Sequence, residues 1–206
     1  MAWLVNALLF FAATGINAQA ADTYRIVALG DSLTAGLGLS LKQTFPARLE
    51  DALKARGHGV SVVNAGVSGD TTAGGLTRLD WVAGRETDLV IVELGANDGL
   101  RGLDVDATYA NLEAIIGRLK GRGVRVLLAG MKAPPNLGRE YGSQFNRIYP
   151  RLSALHEVPL YPFFLAGVAA VPALNQDDGI HPNARGVDVI VANMLPMIVD
   201  LLNQID

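Results

Sequence analysis

The sequence predicts an α/β fold in which a parallel five-stranded sheet lies between two layers of helices. Five short apolar segments alternate along the chain with amphipathic segments of helical period, and short connections separate them. The apolar segments are continuous rather than alternating, as expected of parallel strands that are covered on both faces. With 206 residues, of which 50% are hydrophobic, the chain has enough apolar material for one such domain.

The first half of the chain predicts three strands and two helices. Each strand is an uninterrupted apolar run, and each helix carries apolar residues three or four positions apart. Gly30 ends the first strand and Gly57 the first helix, where the chain must turn. In order, these elements are strand 24–29, helix 44–56, strand 60–63, helix 71–84 and strand 88–94.

The second half predicts two more strands and three helices. Pro134 and Pro135 place a loop at 131–138, Pro150 predicts a kink in the helix that follows, and Pro196 predicts an interruption of the last helix. In order, these elements are helix 106–120, strand 124–128, helix 140–156, strand 160–164 and helix 183–203.

The composition excludes several classes of function. A formal net charge of −3 does not suggest a nucleic-acid partner. Cysteine is absent, which excludes disulfides, thiolate metal sites, a cysteine nucleophile and a lipid-anchored N-terminal cysteine. Any enzyme chemistry must therefore use oxygen, nitrogen or backbone groups.

The first twenty residues differ from the rest because they contain no charged side chain. The nearly apolar run Trp3–Ala13 is shorter than the ~20 residues that span a bilayer, and Ala18-Gln19-Ala20 has the small residues of a signal-peptidase site. We expect an export signal over 1–20, cleaved near Ala20, and a catalytic domain over 21–206 that is periplasmic or secreted. No Lys or Arg precedes the apolar run, so an uncleaved interfacial helix is the alternative.

Chemistry is expected at the carboxyl ends of the strands, where open parallel sheets bind ligands. Segments rich in Gly, Asn, Asp and Ser follow the first three strands and precede the last helix. Among the three histidines, His58 lies in a turn and His156 ends a helix, so both have structural explanations. His181 follows Asp178 by three residues, so one loop can present a base and the carboxylate that orients it. Alternatively, Asp177 and Asp178 only begin the last helix.

Two serines compete for the role of nucleophile. Ser32 follows the first strand and Ser68 lies in the loop after the second, and neither fits the G-x-S-x-G elbow of α/β-hydrolases. An oxyanion needs donors aimed at it. The candidates are the N–H of Ser32, the N–H of Gly69 or Gly66, and the side-chain amide of Asn97. The residues alone leave both choices open.

Four segments resemble the conserved blocks of the GDSL (SGNH) hydrolase family. They are GDSLTAG at 30–36, VVNAGVSGDTTAGGLTRL at 62–79, VELGANDGLRG at 92–102 and DDGIHP at 177–182. GDS alone is a weak signal, whereas four blocks in the family's order across nearly all of 21–206 are specific. The chain is most similar to the bacterial periplasmic subgroup of arylesterases, acyl-CoA thioesterases and lysophospholipases.

The resemblance implies a role for each matching residue and decides both open choices. Ser32 would be the nucleophile, His181 its base, and Asp178 the carboxylate that orients His181. Gly69 and Asn97 would hold the oxyanion together with the N–H of Ser32. The resemblance also implies a flavodoxin-like sheet of order 2-1-3-4-5 and neither a metal nor an organic cofactor.

The expected activity is hydrolysis of aryl esters, lysophospholipids or acyl-CoA through an acyl-serine intermediate. The partner would be a small-molecule ester or thioester with an acyl chain, and the protein would be a monomer without a stable membrane span. Loops Gly99–Asp104 and Met131–Gly138 are suspected to bind substrate, because they follow the third and fourth strands. The alternatives are a carbohydrate O-acetylesterase of the same family, a nucleotide-binding module and a non-catalytic exported binding protein.

Overall fold

The computed structural model describes residues 23–205, which form a doubly wound sheet of five parallel strands in the order β2-β1-β3-β4-β5. The predicted fold class and strand order are confirmed. The expected signal at 1–20 and its cleavage near Ala20 lie outside the described residues. The strands are β1 (Tyr24–Gly30), β2 (Val60–Gly66), β3 (Leu89–Glu93), β4 (Arg125–Ala129) and β5 (Leu160–Tyr161).

Helices cover both faces of the sheet. One layer contains α2 and α8, and the other contains α3, α5 and α7, because crossovers that move in opposite directions from β1 lie on opposite faces. In residues 23–205, no helix is both long and apolar enough to cross a bilayer. The helices are α1 (Ser32–Ala35), α2 (Phe45–Lys54), α3 (Thr72–Val82), α4 (Ala96–Leu100), α5 (Val105–Lys120), α6 (Arg139–Asn146), α7 (Ile148–His156) and α8 (Ala184–Leu202).

The core is centred on β1 and β3, the two strands next to each other in the middle of the strand order that are most completely buried. Ile26–Leu29 and all of Leu89–Glu93 are fully enclosed. Burial of each large aliphatic side chain contributes about 1.5–3 kcal/mol. The ends of both strands are therefore fixed by packing on two faces.

The predicted effects of two prolines are wrong. The segment predicted as helix 140–156 is two helices, α6 and α7, and the break lies at Arg147 rather than Pro150. Pro150 occupies the first turn of α7, where a missing N–H costs no intrahelical hydrogen bond. Pro196 lies inside α8, which runs without interruption. The buried apolar face of α8 outweighs the local cost of the proline.

The last strand is shorter than the predicted 160–164. It ends at Tyr161 because Pro162 has no N–H for the sheet. Beyond it, the chain is held by Gly130, whose N–H donates to the Tyr161 carbonyl and whose carbonyl accepts from Phe164 N–H.

Two of the segments predicted as loops contain helical turns. The segment Gly99–Asp104 begins inside α4, and Met131–Gly138 contains a 3₁₀ turn at Pro135–Leu137. The sequence analysis also did not anticipate α1, which starts immediately after β1. Both α1 and α4 are too short to show helical periodicity in a sequence.

Glycines allow α1 to lie directly on the end of the sheet. Gly66 ends β2 and is the register partner of Gly30 at the end of β1. A Cβ on Gly66 would lie 2.2 Å from the Ala35 nitrogen and 2.8 Å from the Asp31 oxygen, both backbone atoms. The turn that carries Ser32 therefore lies against β2 with no space for a side chain.

Gly66→Ala is expected to destabilise the protein by about 1–3 kcal/mol, because the added methyl group overpacks against backbone that cannot move aside. The matched control is Gly117→Ala in α5, where a Cβ meets no atom within 4 Å. That change should stabilise the protein by about 0.5–1 kcal/mol, since it removes a glycine from a helix interior. Urea titrations of both variants give the free energies of unfolding, and equal effects would contradict this account.

Candidate active site

Ser32 is the first residue of α1 and is separated from β1 only by Asp31. The Asp31 carboxylate caps the helix by accepting from Leu33 N–H at 2.9 Å. The N–H of Ser32 belongs to the first turn, which has no intrahelical acceptor. It has no acceptor among the described residues, so it is free to bind an external oxygen.

A chain of hydrogen bonds links Ser32 to two residues of the β5–α8 connection. Ser32 Oγ lies 2.9 Å from His181 Nε2, and His181 Nδ1 lies 2.6 Å from Asp178 Oδ2. Asp178 Oδ1 accepts from the backbone N–H groups of Ile180 and His181 at 2.9 Å each. The structure therefore brings together the three residues that the sequence analysis singled out for a triad.

The protonation state of this chain follows from its donors. The backbone N–H and the ring of His181, together with Ile180 N–H, lower the pKa of Asp178 to about 2. Asp178 is thus ionised at neutral pH and only accepts hydrogen bonds, which places the proton of the neutral imidazole on Nδ1. The lone pair on Nε2 therefore faces the hydroxyl of Ser32.

The loop that carries His181 is fixed by main-chain and amide contacts. The Gln176 N–H donates to the His181 carbonyl at 2.8 Å, and this bond joins the two ends of the loop that contains Asp178. The side-chain amide of Gln176 donates to the carbonyls of Leu37 and Pro182 at 2.7 and 3.0 Å. Because Leu37 follows α1, this amide ties the loop of the base to the segment of Ser32.

Gly69 and Asn97 contribute further donors near Ser32. Gly69 has φ +82°, a conformation that favours glycine, and its N–H has no acceptor among residues 23–205. Asn97 in α4 donates one Nδ2 hydrogen to Asp31 Oδ2 at 3.1 Å, which leaves its second hydrogen available. In contrast, the N–H of Gly66 donates to Asn64 Oδ1 at 3.0 Å. The geometry thus favours Gly69 over Gly66 as a donor.

Ser68, the alternative nucleophile, lies on the wall of the same groove as Ser32. Its hydroxyl has no hydrogen bond to a base or to any other described residue. A serine without a base nearby is a weak nucleophile at neutral pH. The geometry therefore favours Ser32.

Two buried carboxyl groups lie beneath Ser32, and the sequence analysis missed both. Glu93 ends β3, and its Oε2 accepts from Thr34 Oγ1 at 2.6 Å and from Asp31 N–H at 3.4 Å.

Burial raises the pKa of Asp31 to about 6. Burial, together with the nearby charge of Asp31, raises the pKa of Glu93 well above its usual value. Burial thus favours the protonated form of Glu93. In the sequence, the only indication of a role for Glu93 is that an acidic residue lies inside the apolar run DLVIVEL.

Ser32 opens into an apolar groove of about 340 Å³. The two loops suspected of binding substrate reach it through Leu100 in one case and through Met131 and Pro134 in the other. The Lys132 ammonium lies 4.9 Å from the centre of the Phe163 ring at this groove. The remaining apolar lining comes from segments that are distant in sequence, namely Leu33, Leu37, Ala96, Phe163, Leu165 and Ile180.

This arrangement has the parts of an acyl-transfer site. A hydroxyl faces a base that is oriented by an ionised carboxylate, and donors without acceptors line the same groove. Within residues 23–205, no group of three or more His, Asp and Glu side chains is placed to hold a metal ion.

Comparison with known sequences identifies relatives over most of the chain. Residues 28–189 match the GDSL-like lipase/acylhydrolase family. An arylesterase from Vibrio mimicus is 41% identical over 180 residues, which cover 87% of this chain and 88% of that protein. The thioesterase 1/protease 1/lysophospholipase L1 of Escherichia coli K12 is 41% identical over 196 residues, covering 95% of this chain and 92% of the relative.

Solved structures show the same architecture. The crystal structure of TesA superposes with a TM-score of 0.82 at 40% identity, covering 86% of this chain and 99% of TesA. Esterase EstA from Pseudoalteromonas, inhibited by monoethylphosphonate, also superposes with a TM-score of 0.82, at 33% identity. This superposition covers 87% of this chain and 98% of EstA.

Glu93→Gln is expected to stabilise the protein increasingly as the pH rises above 4.5, the ordinary pKa of the Glu side chain. Because the pKa is raised on folding, the folded protein keeps a proton that the unfolded chain releases, and the parent protein loses stability as the pH rises towards the folded pKa. Glutamine has no such proton and can still accept from Thr34.

Urea unfolding from about pH 4 to about pH 8 measures this pH-dependent difference. Glu86→Gln, which removes an exposed carboxyl group, is the matched control. A difference between Glu93→Gln and the parent that stays constant over this range would contradict a raised pKa of Glu93.

Proposed function

The chain belongs to the GDSL-like lipase/acylhydrolase family and is a serine esterase or thioesterase that acts on carboxylic esters, and we propose that Ser32, His181 and Asp178 are its catalytic triad. The observation that carries the proposal is the continuous hydrogen-bond chain from Asp178 through His181 to Ser32 Oγ. This chain ends in an apolar groove beside N–H groups that have no acceptor in the described residues.

In the proposed first step, His181 Nε2 removes the hydroxyl proton while Ser32 Oγ attacks the carbonyl carbon of the substrate. Asp178 holds Nδ1–H and stabilises the imidazolium ion that forms. The leaving alcohol or thiol then takes the proton from Nε2, and the acyl group remains on Ser32. Water, activated by the same imidazole, releases the acid.

The proposed oxyanion hole consists of the N–H groups of Ser32 and Gly69 and the free Nδ2 hydrogen of Asn97. Asp31 holds the other Nδ2 hydrogen, so the amide cannot rotate away from the site without losing that bond. Such pre-oriented donors stabilise the charge that develops only in the tetrahedral state.

For the substrate, we propose acyl esters or thioesters with a chain longer than acetyl. The support is the apolar wall of the groove, to which Leu100, Met131, Pro134 and Phe163 contribute. The printed names of the relatives, arylesterase and thioesterase 1/protease 1/lysophospholipase L1, agree with this class. A carbohydrate O-acetylesterase would need several polar groups for the sugar, whereas the lining of this groove is mostly apolar, with Ser68 and Lys132 among its few polar residues outside the triad and the donors.

We further propose that the enzyme is exported after cleavage near Ala20, which leaves the catalytic domain over 21–206. We propose that this domain acts as a monomer. The support for export is the uncharged, apolar N-terminal segment followed by small residues. Edman sequencing of the exported protein tests this proposal, which predicts Ala21 as the first residue. An exported protein that retains Met1 would contradict it.

Ser32→Ala is expected to lower the rate of p-nitrophenyl ester hydrolysis by at least about 10⁴-fold, because it removes the nucleophile. The matched control is Ser68→Ala, which removes a hydroxyl from the same groove and should retain most of the activity. A fluorophosphonate probe should label the parent protein and Ser68→Ala but not Ser32→Ala. The reverse pattern would assign the nucleophile to Ser68. Thermal melts confirm that both variants fold.

Octanoyl esters are expected to be cleaved with a kcat/KM at least about tenfold higher than acetyl esters, because each buried CH₂ group contributes about 0.8 kcal/mol. The measurement is a series of p-nitrophenyl acetate, octanoate and palmitate. Leu100→Asn should reduce the preference for octanoate and leave acetate hydrolysis nearly unchanged. A preference for acetyl groups on sugar acceptors would support the carbohydrate O-acetylesterase instead.

A further inference from the structure

The two backbone donors of the proposed oxyanion hole lie on separate segments. β1 and β2 are paired up to Gly30 and Gly66, and beyond that point the chain turns into α1 on one side and into the 67–70 turn on the other. One oxygen atom must contact the N–H of both Ser32 and Gly69. The distance between these two turns is therefore critical for catalysis.

Arg78, in the second turn of α3, contacts both segments at once. Its Nη2 donates to the Gly30 carbonyl at 2.9 Å, two residues before Ser32. Its Nη1 donates to the Ala65 carbonyl at 2.6 Å, and its Nε donates to Asp70 Oδ2 at 2.7 Å, directly after Gly69. The guanidinium thus joins the ends of β1 and β2 to the turn that follows β2.

We propose that Arg78 is a positioning residue that sets the spacing of the oxyanion-hole donors by joining the turn of Ser32 to the turn of Gly69. The inference rests on the function proposed above for Ser32 and Gly69. Arg78 does not line the substrate groove, so it acts through the backbone and not on the substrate.

The surroundings of Arg78 are suited to this role. Only 19% of its side chain and 12% of that of Asp70 are exposed, so the pair is shielded from competing water. Asp70 also accepts from Thr71 N–H at 3.2 Å, which fixes the carboxylate at the start of α3. A Cβ on Gly74 would lie 1.8 Å from Asp70 Oδ1, so α3 leaves space for this carboxylate.

Only the planar fork of arginine can serve three acceptors in these directions. Lysine carries one ammonium group on a flexible stem and cannot reach both carbonyls and the carboxylate together. The Gly30 carbonyl also accepts from Val67 N–H at 3.0 Å. Without Arg78, that bond and the one from Arg101 Nη2 to the Gly69 carbonyl at 2.8 Å would remain, so the sheet would persist while the turn of Gly69 lost its connection through Asp70.

The kinetic consequence differs from that of a general loss of stability. Donors to the oxyanion act on the tetrahedral state, so their displacement lowers kcat and leaves KM nearly unchanged. Loss of one donor costs about 10²–10³-fold in kcat, which bounds the effect. We expect Arg78→Lys to lower kcat by about tenfold to a hundredfold.

The experiment compares Arg78→Lys with Arg56→Lys, a change at an exposed position outside the groove. Fluorophosphonate titration first counts the competent Ser32 sites in each preparation, and kcat for p-nitrophenyl octanoate is then expressed per titrated site. A purely structural effect would reduce the number of sites but not kcat per site. A lowered kcat per site at unchanged KM supports the proposal, and an unchanged kcat per site overturns it.

Two further variants keep the test decisive if Arg78→Lys folds poorly. Asp70→Asn retains the shape of the partner and removes its charge, and it should also lower kcat per site. Methylguanidinium at sub-denaturing concentration should partly restore kcat of Arg78→Ala, whereas ethylamine should not. Equal rescue by both cations, or by neither, would overturn the proposal. If Ser32 were not labelled in the parent protein, the proposed function itself would be wrong.

Discussion

The close contact between α1 and the carboxyl ends of β1, β2 and β3 is the constraint on which the site depends. A side chain at Gly30 would overlap Thr34 and Glu93, and one at Gly66 would overlap the backbone of α1. The short helix can therefore lie directly on three strand ends. This position exposes the N–H and hydroxyl of Ser32 at the same edge as Gly69 and Asn97.

The site uses carboxyl groups in opposite electrostatic states. Asp178 is nearly half exposed, receives two backbone N–H groups and the ring of His181, and its pKa falls to about 2. Glu93 is fully buried, has one unpartnered oxygen in the described structure, and its pKa rises well above its usual value. The surroundings of Asp178 thus favour the charged form that orients a base, while those of Glu93 favour the neutral form beneath the nucleophile.

Site residues could be predicted from the sequence where reactive residue types lie close together in one loop or soon after a strand. Asp178 and His181 belong to one loop, and Ser32 and Asn97 directly follow strands, so the motifs were enough to find them. Arg78 and Glu93 could not be found in this way. Arg78 gains its importance from contacts with residues 8 to 48 positions away, and Glu93 from contacts with residues 59 and 62 positions away.

The alternation of apolar runs and amphipathic segments by itself determined the α/β class, because burial on both faces of a parallel sheet demands that pattern. The four motifs similarly determined the family and the candidate residues. Only the tertiary structure decided that neither Pro150 nor Pro196 breaks a helix, since Pro150 lies in the first turn of α7 and packing of α8 outweighs the local cost at Pro196. It also decided the apolar wall of the groove and the raised pKa of Glu93, because burial and convergence of distant segments are properties of the folded chain and not of any local stretch of sequence.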